Sequence, residues 1–404
     1  MMNPENIYIL GAVRTAIGKY GGSLKNVPAH ELGALVIRGA LTRSGVPDEM
    51  VDEVILGEVR QTTEASNVAR CALLEAGLPE HIPGFTVNRL CASSMQAVLE
   101  GCREIRCGDA DVIVAGGTEN LSRAPIFLRG ARWGGNRPSL VDSNIEAGST
   151  AAPASVYGAG GISNVQTAEN VAERFGITRD MQDAFAAESQ RRAYEAGRAG
   201  WFRQEILPVR VKEKKTEFIF DTDEFIRPGT TKESLGKLRT LLPGGTVTAG
   251  NACGLNDGAS ALVLMGEKKL RKTGLKPQAR IIGMAAAAIS PEIMGYAPVA
   301  AVKKVLEKTG MSLAQIDLVE LNEAFASQTV ACIRDLSLDP EKVNIGGGAI
   351  ALGHPLGCTG TRLIVTLLHH LMRTGGRYGI ATLCIAGGQS MAAVIENLEG
   401  EGEI

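Results

Sequence analysis

Two cysteines, a histidine and an asparagine stand where their surroundings could support chemistry. Cys91 lies in FTVNRLCASSMQAVLEGCREIRCGDADVIVAGG, between a β-rich run and a helical one. Met95, Val98, Leu99, Cys102 and Ile105 recur at helical spacing, and Gly108 ends the pattern. The spacing puts Cys91 on a strand-to-helix turn, where the helix dipole and free N–H groups favour a thiolate. A cysteine taken at random is more often a small buried hydrophobe, and the turn sets this one apart. His354 lies in NIGGGAIALGHPLGCTGTRLIVTLL, where glycines allow close backbone approach and Pro355 fixes the exit. A glycine-rich loop presenting one imidazole suggests a general base. Cys384, in TLCIAGGQ, ends a buried strand, and Asn322, in LNEAFA, follows another. Taken alone, the first reads as an inert core thiol and the second as a turn residue. His369 and His370 fall near a helix C-terminus, whose dipole accommodates them, and read as structural.

An internal repeat indicates which elements must position these groups. VIRGALTRSGVPDEMVDEVILGEV (36–59) aligns without a gap to AVKKVLEKTGMSLAQIDLVELNEA (301–324). Asp52 falls on Asp317, Val54 on Val319, Leu56 on Leu321 and Glu58 on Glu323. Each copy predicts an amphipathic helix, a glycine stop and a buried strand. ADVIVAGGTE (110–119) also echoes IATLCIAGGQ (380–389) at a slightly larger offset. The outer thirds therefore read as two copies of one α/β unit. The middle third is richer in charge and turns, with a helix over QDAFAAESQRRAYEAG (182–197) and a basic run over 209–215 that reads as a solvated face. It looks like an insertion over a rigid scaffold, a common place for substrate contacts.

Composition narrows the function classes. The chain has 404 residues, 45% hydrophobic and 21% charged, enough for more than one core and unlike disorder. A net charge of −2 and 4% aromatic residues exclude a nucleic-acid footprint. No apolar run approaches the roughly 20 residues that span a bilayer. The segment MMNPENIYILGAVRTAIGKY lacks a secretory pattern, and the eight cysteines show no CxxC pair and no zinc spacing. Reduced thiols in a cytoplasmic protein are the expectation.

NRLCASSMQAV, GNACGLNDGASA (250–261), LNEAFA, GGAIALGHPLGCTGTR and TLCIAGGQ, in this order and at these separations, resemble thiolases. The resemblance runs from AVRTAIGKYGG to the last strand. It implies a duplicated five-layered α-β-α-β-α core, with halves at 1–121 plus 246–275 and at 276–404, and a loop domain at 122–245 that binds coenzyme A. It implies a cytoplasmic acyltransferase of fatty acid metabolism, condensing acetyl-CoA or cleaving 3-ketoacyl-CoA, assembled as a homodimer or homotetramer. Cys91 matches the nucleophile that carries the acyl group, and His354 the base that activates it. Cys384 matches the cysteine that moves the α-carbon proton. Asn322 matches the residue whose bound water, with His354, forms one oxyanion site. The N–H groups of Cys91 and Ala386 match the other. Arg227, Ser234, Cys253, Met294 and Phe325 match coenzyme A and pocket positions. No cofactor or metal is implied, since coenzyme A enters as a substrate.

The chain departs from the family pattern at Ser163, Asn164 and Val165, which replace His-Met-Gly. It departs again at Cys253, Ala386 and Ser390, which replace serine, glycine and glycine. Asn164, shorter and polar where the family has methionine, is expected to leave room beyond an acetyl group. A decarboxylating condensing enzyme of the same superfamily is the nearest alternative, but its cysteine normally pairs with two histidines, or with histidine and asparagine. A thiolase-like protein that only binds acyl-CoA would not need the full Cys91, His354, Cys384 and Asn322 set.

Overall fold

The computed structural model describes residues 5–399 apart from 135–136, 149–151, 159–160 and 214–215. The first half opens with β1 (Ile7–Thr15), α1 (Ala29–Ser44) and β2 (Glu53–Gly57). It continues through α2 (Val68–Glu75), β3 (Gly84–Val87), α3 (Ser93–Cys107) and β4 (Val112–Asn120). The middle of the chain contributes α4 (Asn164–Phe175), α5 (Arg179–Arg198) and the short α6 (Lys232–Gly236). The chain then returns to the sheet as β5 (Asn256–Gly266). The second half comprises β6 (Ala279–Ala288), α7 (Pro298–Thr309), β7 (Leu318–Leu321) and α8 (Ala326–Asp335). It ends with α9 (Ala349–Leu352), α10 (Leu356–Thr374), β8 (Tyr378–Ile385) and β9 (Gln389–Asn397).

The main sheet runs β7-β8-β9-β6-β1-β5-β4-β2-β3. Its two halves join where β1 meets β6, antiparallel, at Tyr8↔Arg280 and Ile9↔Ala279. Both faces of β1 are covered. Tyr8, Leu10 and Val13 face a core with α1 and α2, while Ile7, Ile9 and Ala12 face a second core. That second core holds α3 (Met95, Val98, Cys102) and α10 (Leu363, Leu367, Leu371) between the two half-sheets. A third core packs α7 and α8 on the far face through Val302, Val305 and Cys332. The layers are therefore α, β, α, β, α, the duplicated architecture the sequence implies. Continuous apolar strands such as VILG and VIVA suit a sheet buried on both faces.

The repeat is visible atom by atom. Gly45 and Gly310 end α1 and α7 in the left-handed conformation, at φ 68° in each case. Asp52 Oδ2 accepts from the N–H groups of Asp111 and Val112, and Asp317 Oδ2 accepts from those of Arg377 and Tyr378. The AGG echo does not keep this register. Val54 pairs with Val114 and Val319 with Ile380, so Ile380 is the counterpart of Val114. The sequence match had placed Cys384 there, a slip of four residues. An even slip leaves every side chain on its own face, so the hydrophobic pattern could not reveal it.

The basic run is part of a two-stranded ribbon, Val209–Glu213 with Thr216–Phe220, where Val209 and Val211 are buried and Arg210 and Lys212 are exposed. The solvated face is thus one side of it, and Lys214 and Lys215 lie outside the described residues. His370 is held within the interior by the Glu320 carboxylate at 3.2 Å. His369 Nε2 lies 3.4 Å from the Ala12 carbonyl. Both are structural, through partners on other strands rather than through the helix end.

Candidate active site

Cys91 sits two residues before α3 on a strained turn. Leu90, without a glycine's freedom, adopts φ 49°. Its N–H donates to Asn88 Oδ1 at 2.9 Å, and Ser93 Oγ donates to its carbonyl at 2.6 Å. β2 can end this close only because residue 57 is glycine: a Cβ there would stand 2.5 Å from the backbone of Ser93 and Ser94. The N–H groups of Ala386 and of Cys91 itself hydrogen-bond to the thiol and lower its pKa, yet burial outweighs them and pushes the thiol up. The helix terminus alone had suggested a thiolate, and desolvation reverses that expectation.

His354 sits two residues before α10, whose start is locked to the start of α3. Ser94 Oγ donates to the Cys358 carbonyl at 3.0 Å and accepts from Thr361 N–H at 2.9 Å. The His354 ring is 3% exposed, and its Nδ1 lies 2.7 Å from Thr359 Oγ1. Thr359 spends its hydroxyl proton on the Pro355 carbonyl at 2.8 Å. The Nδ1 proton therefore donates to Thr359, which leaves the lone pair on Nε2. That Nε2 is buried without a hydrogen-bond partner among the described residues. Burial, reinforced by the Arg362 guanidinium, lowers the imidazole pKa to about 3. His354 is a neutral base with its acceptor nitrogen free. Asn256 Oδ1 fixes its backbone N–H at 3.0 Å, and Gly353, at φ 106°, is the residue against which Asn256 packs.

Cys384 is the penultimate residue of β8, 2% exposed, and its thiol is pushed well up by burial and then by the thiols of Cys91, Cys332 and Cys253. Cys253 is pushed to about 12 by burial and then by Cys91. Three other thiols thus lie near enough to Cys384 to raise it. Met294, Phe325, Cys384 and partly buried Cys253 and Val165 share one small apolar cluster. Val165 adds an apolar wall beside Asn164, which opens α4. Asn322 follows β7 and donates its backbone N–H to the Thr382 carbonyl at 3.0 Å. Its side chain is fully buried, and neither amide atom has a partner among the described residues. Buried amides are normally satisfied; this one and the His354 Nε2 are left without protein partners among the described residues, as are Gln328 Nε2 and His370 Nε2.

Arg227 and Ser234 lie farther out on the middle segment, both exposed. The Arg227 guanidinium stacks over Phe225 at 4.9 Å, and Phe225 packs on Gly254, next to Cys253. Ser234 lies in the first turn of α6 in a reciprocal box with the N-cap residue Thr231, and its Oγ donates to the Thr231 carbonyl at 2.7 Å. No direct contact joins either residue to the thiols among the described residues. Sequence reasoning missed Asn256, Thr359 and Glu119. Glu119 accepts from the N–H groups of Val59, Arg60 and Gly357, and so ties the His354 turn to β2. Asn256 and Thr359 stood in quoted motifs. Their partners are only legible in three dimensions.

Fold and site together define a condensing acyltransferase of the duplicated α-β-α-β-α build. The chain belongs to the thiolase family: the family model for the thiolase N-terminal domain matches residues 7–268 and that for the C-terminal domain residues 275–397. It is 49% identical to an acetyl-CoA acetyltransferase of Pseudomonas aeruginosa, over 97% of this chain and 99% of that one. It is 46% identical to a beta-ketoadipyl-CoA thiolase of the same organism, over 98% and 100%. The crystal structure of Bacillus anthracis acetyl-CoA acetyltransferase superposes with a TM-score of 0.94 at 44% identity, covering 98% of this chain and 99% of that one. Human mitochondrial 3-ketoacyl-CoA thiolase in complex with CoA gives a TM-score of 0.92 at 41% identity, over 97% and 98%.

Proposed function

We propose that the protein catalyses reversible acyl transfer between coenzyme A thioesters through an acyl group on Cys91. What supports this is that His354 Nε2 and both atoms of the Asn322 amide are buried without partners among the described residues, and that the Cys384 and Cys253 thiols are each raised by the Cys91 thiol. Cys91 Sγ attacks the acyl carbonyl while His354 Nε2 takes the thiol proton. The oxyanion forms against the N–H groups of Cys91 and Ala386, which already point at the sulfur. Coenzyme A leaves as its thiol, taking that proton. In condensation, His354 Nε2 takes the Cys384 thiol proton, and the Cys384 thiolate removes a proton from the methyl carbon of a second acetyl thioester. The enolate oxygen is stabilised by the Nε2–H this gives His354 and by a water on Asn322. Its carbon attacks the Cys91 thioester, and Cys91 leaves as its thiol with the His354 proton. Thiolysis runs the same steps backwards. Ala386 keeps the N–H that the usual glycine supplies.

The segment 122–245, with Arg227 and Ser234, binds the nucleotide and pantetheine, and Cys253, Met294 and Phe325 line the acyl end. Packing of Phe225 on Gly254 supports the link between these parts. Eight unpaired cysteines support a reducing, cytoplasmic setting. Exposed Ile126, Leu128 and Leu140 on the ribbon Ile126–Arg129 with Ser139–Asp142 support assembly into a homodimer or homotetramer. Intact-mass analysis after acid quench tests the central step. Acetyl-CoA adds one acetyl group to the wild type and to Cys384→Ser, and none to Cys91→Ala. Only the wild type cleaves 3-ketoacyl-CoA. An adduct that persists in Cys91→Ala rejects the assignment.

A further inference from the structure

A chain of buried and part-buried hydrogen bonds outside the reacting groups runs from the Arg227 loop to α9, which leads into His354, and to Leu321 and Glu323, which flank Asn322. Gln190, on α5 and 5% exposed, begins it. Its Oε1 accepts from the Arg227 backbone N–H at 2.7 Å, and its Nε2 donates to the Ile350 carbonyl at 3.1 Å. Ile350 belongs to α9, the single turn that ends at Gly353 and delivers His354. The Ile350 N–H donates at 3.1 Å to Oε2 of Glu323, the residue after Asn322. The same oxygen accepts from Ser189 Oγ at 2.7 Å, and Oε1 accepts from Asn344 Nδ2 at 2.8 Å. Asn344 also clasps the end of β7. Its Oδ1 accepts from Leu321 N–H and its Nδ2 donates to the Leu321 carbonyl, both at 2.8 Å.

Every group facing Glu323 is a donor, because Ser189 Oγ already accepts from the Gly348 N–H at 3.1 Å. The carboxylate, 1% exposed, is satisfied only as an acceptor. Gly348 has no Cβ because the Glu323 carboxylate occupies that space. The chain therefore has no slack. A shift of the Arg227 backbone moves Gln190, then α9, and with it the turn that carries His354.

We propose that Gln190 and Glu323 are positioning residues. They couple the seating of the coenzyme A nucleotide on the Arg227 loop to the alignment of His354 and Asn322 at the acyl end. This rests on the acyl-transfer reading above. Binding energy from the remote nucleotide is then spent on geometry at the reacting carbonyl, which raises the rate constant and not affinity alone.

The test compares acetoacetyl-CoA with acetoacetyl-pantetheine, which keeps the reacting end and lacks the nucleotide. The rate of Cys91 acetylation is read in a single turnover at saturating thioester. In the wild type the coenzyme A thioester reacts at least about tenfold faster, and in Gln190→Ala the two rates converge to within about threefold. The pantetheine rate changes little, which also shows that the variant is folded; a merely structural role would lower both rates together. Gln190→Glu keeps the acceptor for Arg227, removes the donor to Ile350 and gives the same convergence. Glu323→Gln turns one acceptor into a donor facing donors and slows both substrates. A ratio that survives in Gln190→Ala overturns the coupling while leaving the acyl-transfer reading intact. Absence of acetyl-Cys91 from either thioester in the wild type overturns both.

Discussion

The site holds its nucleophile and base uncharged. Burial pushes the Cys91 thiol up and lowers His354 to about 3, so neither bears charge near neutral pH. A preformed thiolate–imidazolium pair is thereby disfavoured, and proton transfer belongs to the attack itself. The pH dependence follows with a definite sign. Free histidine binds a proton near 6.5, whereas His354 in the folded chain stays neutral down to about 3. Below pH 6.5 the unfolded state therefore takes up a proton that the native state refuses, and stability falls as pH drops from 6.5 towards 3. The contribution is about 1.4 kcal/mol per pH unit over that window. His354→Asn should show a shallower loss of stability on acidification in urea unfolding at pH 7 and pH 5. Some slope remains, because burial lowers His369 in the same direction. For the wild type, kcat/KM should show no inflection near pH 6.5 attributable to His354. An inflection there would mean that the imidazole is better solvated than its surroundings indicate.

Among the elements, two helix starts do most of the positioning, and glycines set how near they come. Gly117 of β4 lies against the Gly357 carbonyl at the mouth of α10, with no room for a Cβ. Gly117→Ala must part α10 from β4, and a loss of about 3 kcal/mol or more, with activity falling at least as far, is the expected result. Gly197, on the exposed surface of α5, meets nothing within 4 Å, so Gly197→Ala should stabilise by about 0.5–1 kcal/mol and leave turnover unchanged. Thermal melts of both variants check the contrast. The same two glycine environments explain what the sequence could reveal. The α3 helix was legible in full, from Met95 to the Gly108 stop, because its signals are local. So was the first repeat, with its glycine caps. The second echo slipped because Gly116 and Gly117 serve close packing within a strand, whereas Gly387 and Gly388, at φ 84° and 80°, make the turn between β8 and β9. Glu119, Gln190 and Asn344 were silent because their partners lie far along the chain. Their residue types alone do not say which backbone they will hold.

At the scale of the whole molecule, duplication buries both faces of both half-sheets and leaves few apolar surfaces to solvent. Among the described residues, one group of exposed apolar side chains lies close together in the chain. Ile126 is 65% exposed, Leu128 58%, Leu140 76% and Trp133 91%, all on or between the strands of one two-stranded ribbon. An isolated hairpin is at best marginally stable in water, and exposed apolar side chains on it mark a surface that pairs. A second ribbon from another copy would shield these side chains by the same self-complementary contact on both partners. The ribbon lies outside the nine-strand path of the main sheet, so the contact it makes need not disturb the reacting groups. Leu128→Asp with Leu140→Asp should lower the mass seen by light scattering by one step of assembly. The kcat for thiolysis should stay within about twofold, because assembly through the ribbon touches no reacting group. Leucines that are merely exposed would leave the mass unchanged in the double variant. A wild type that scatters as a fully active monomer would show that the ribbon faces solvent for another reason.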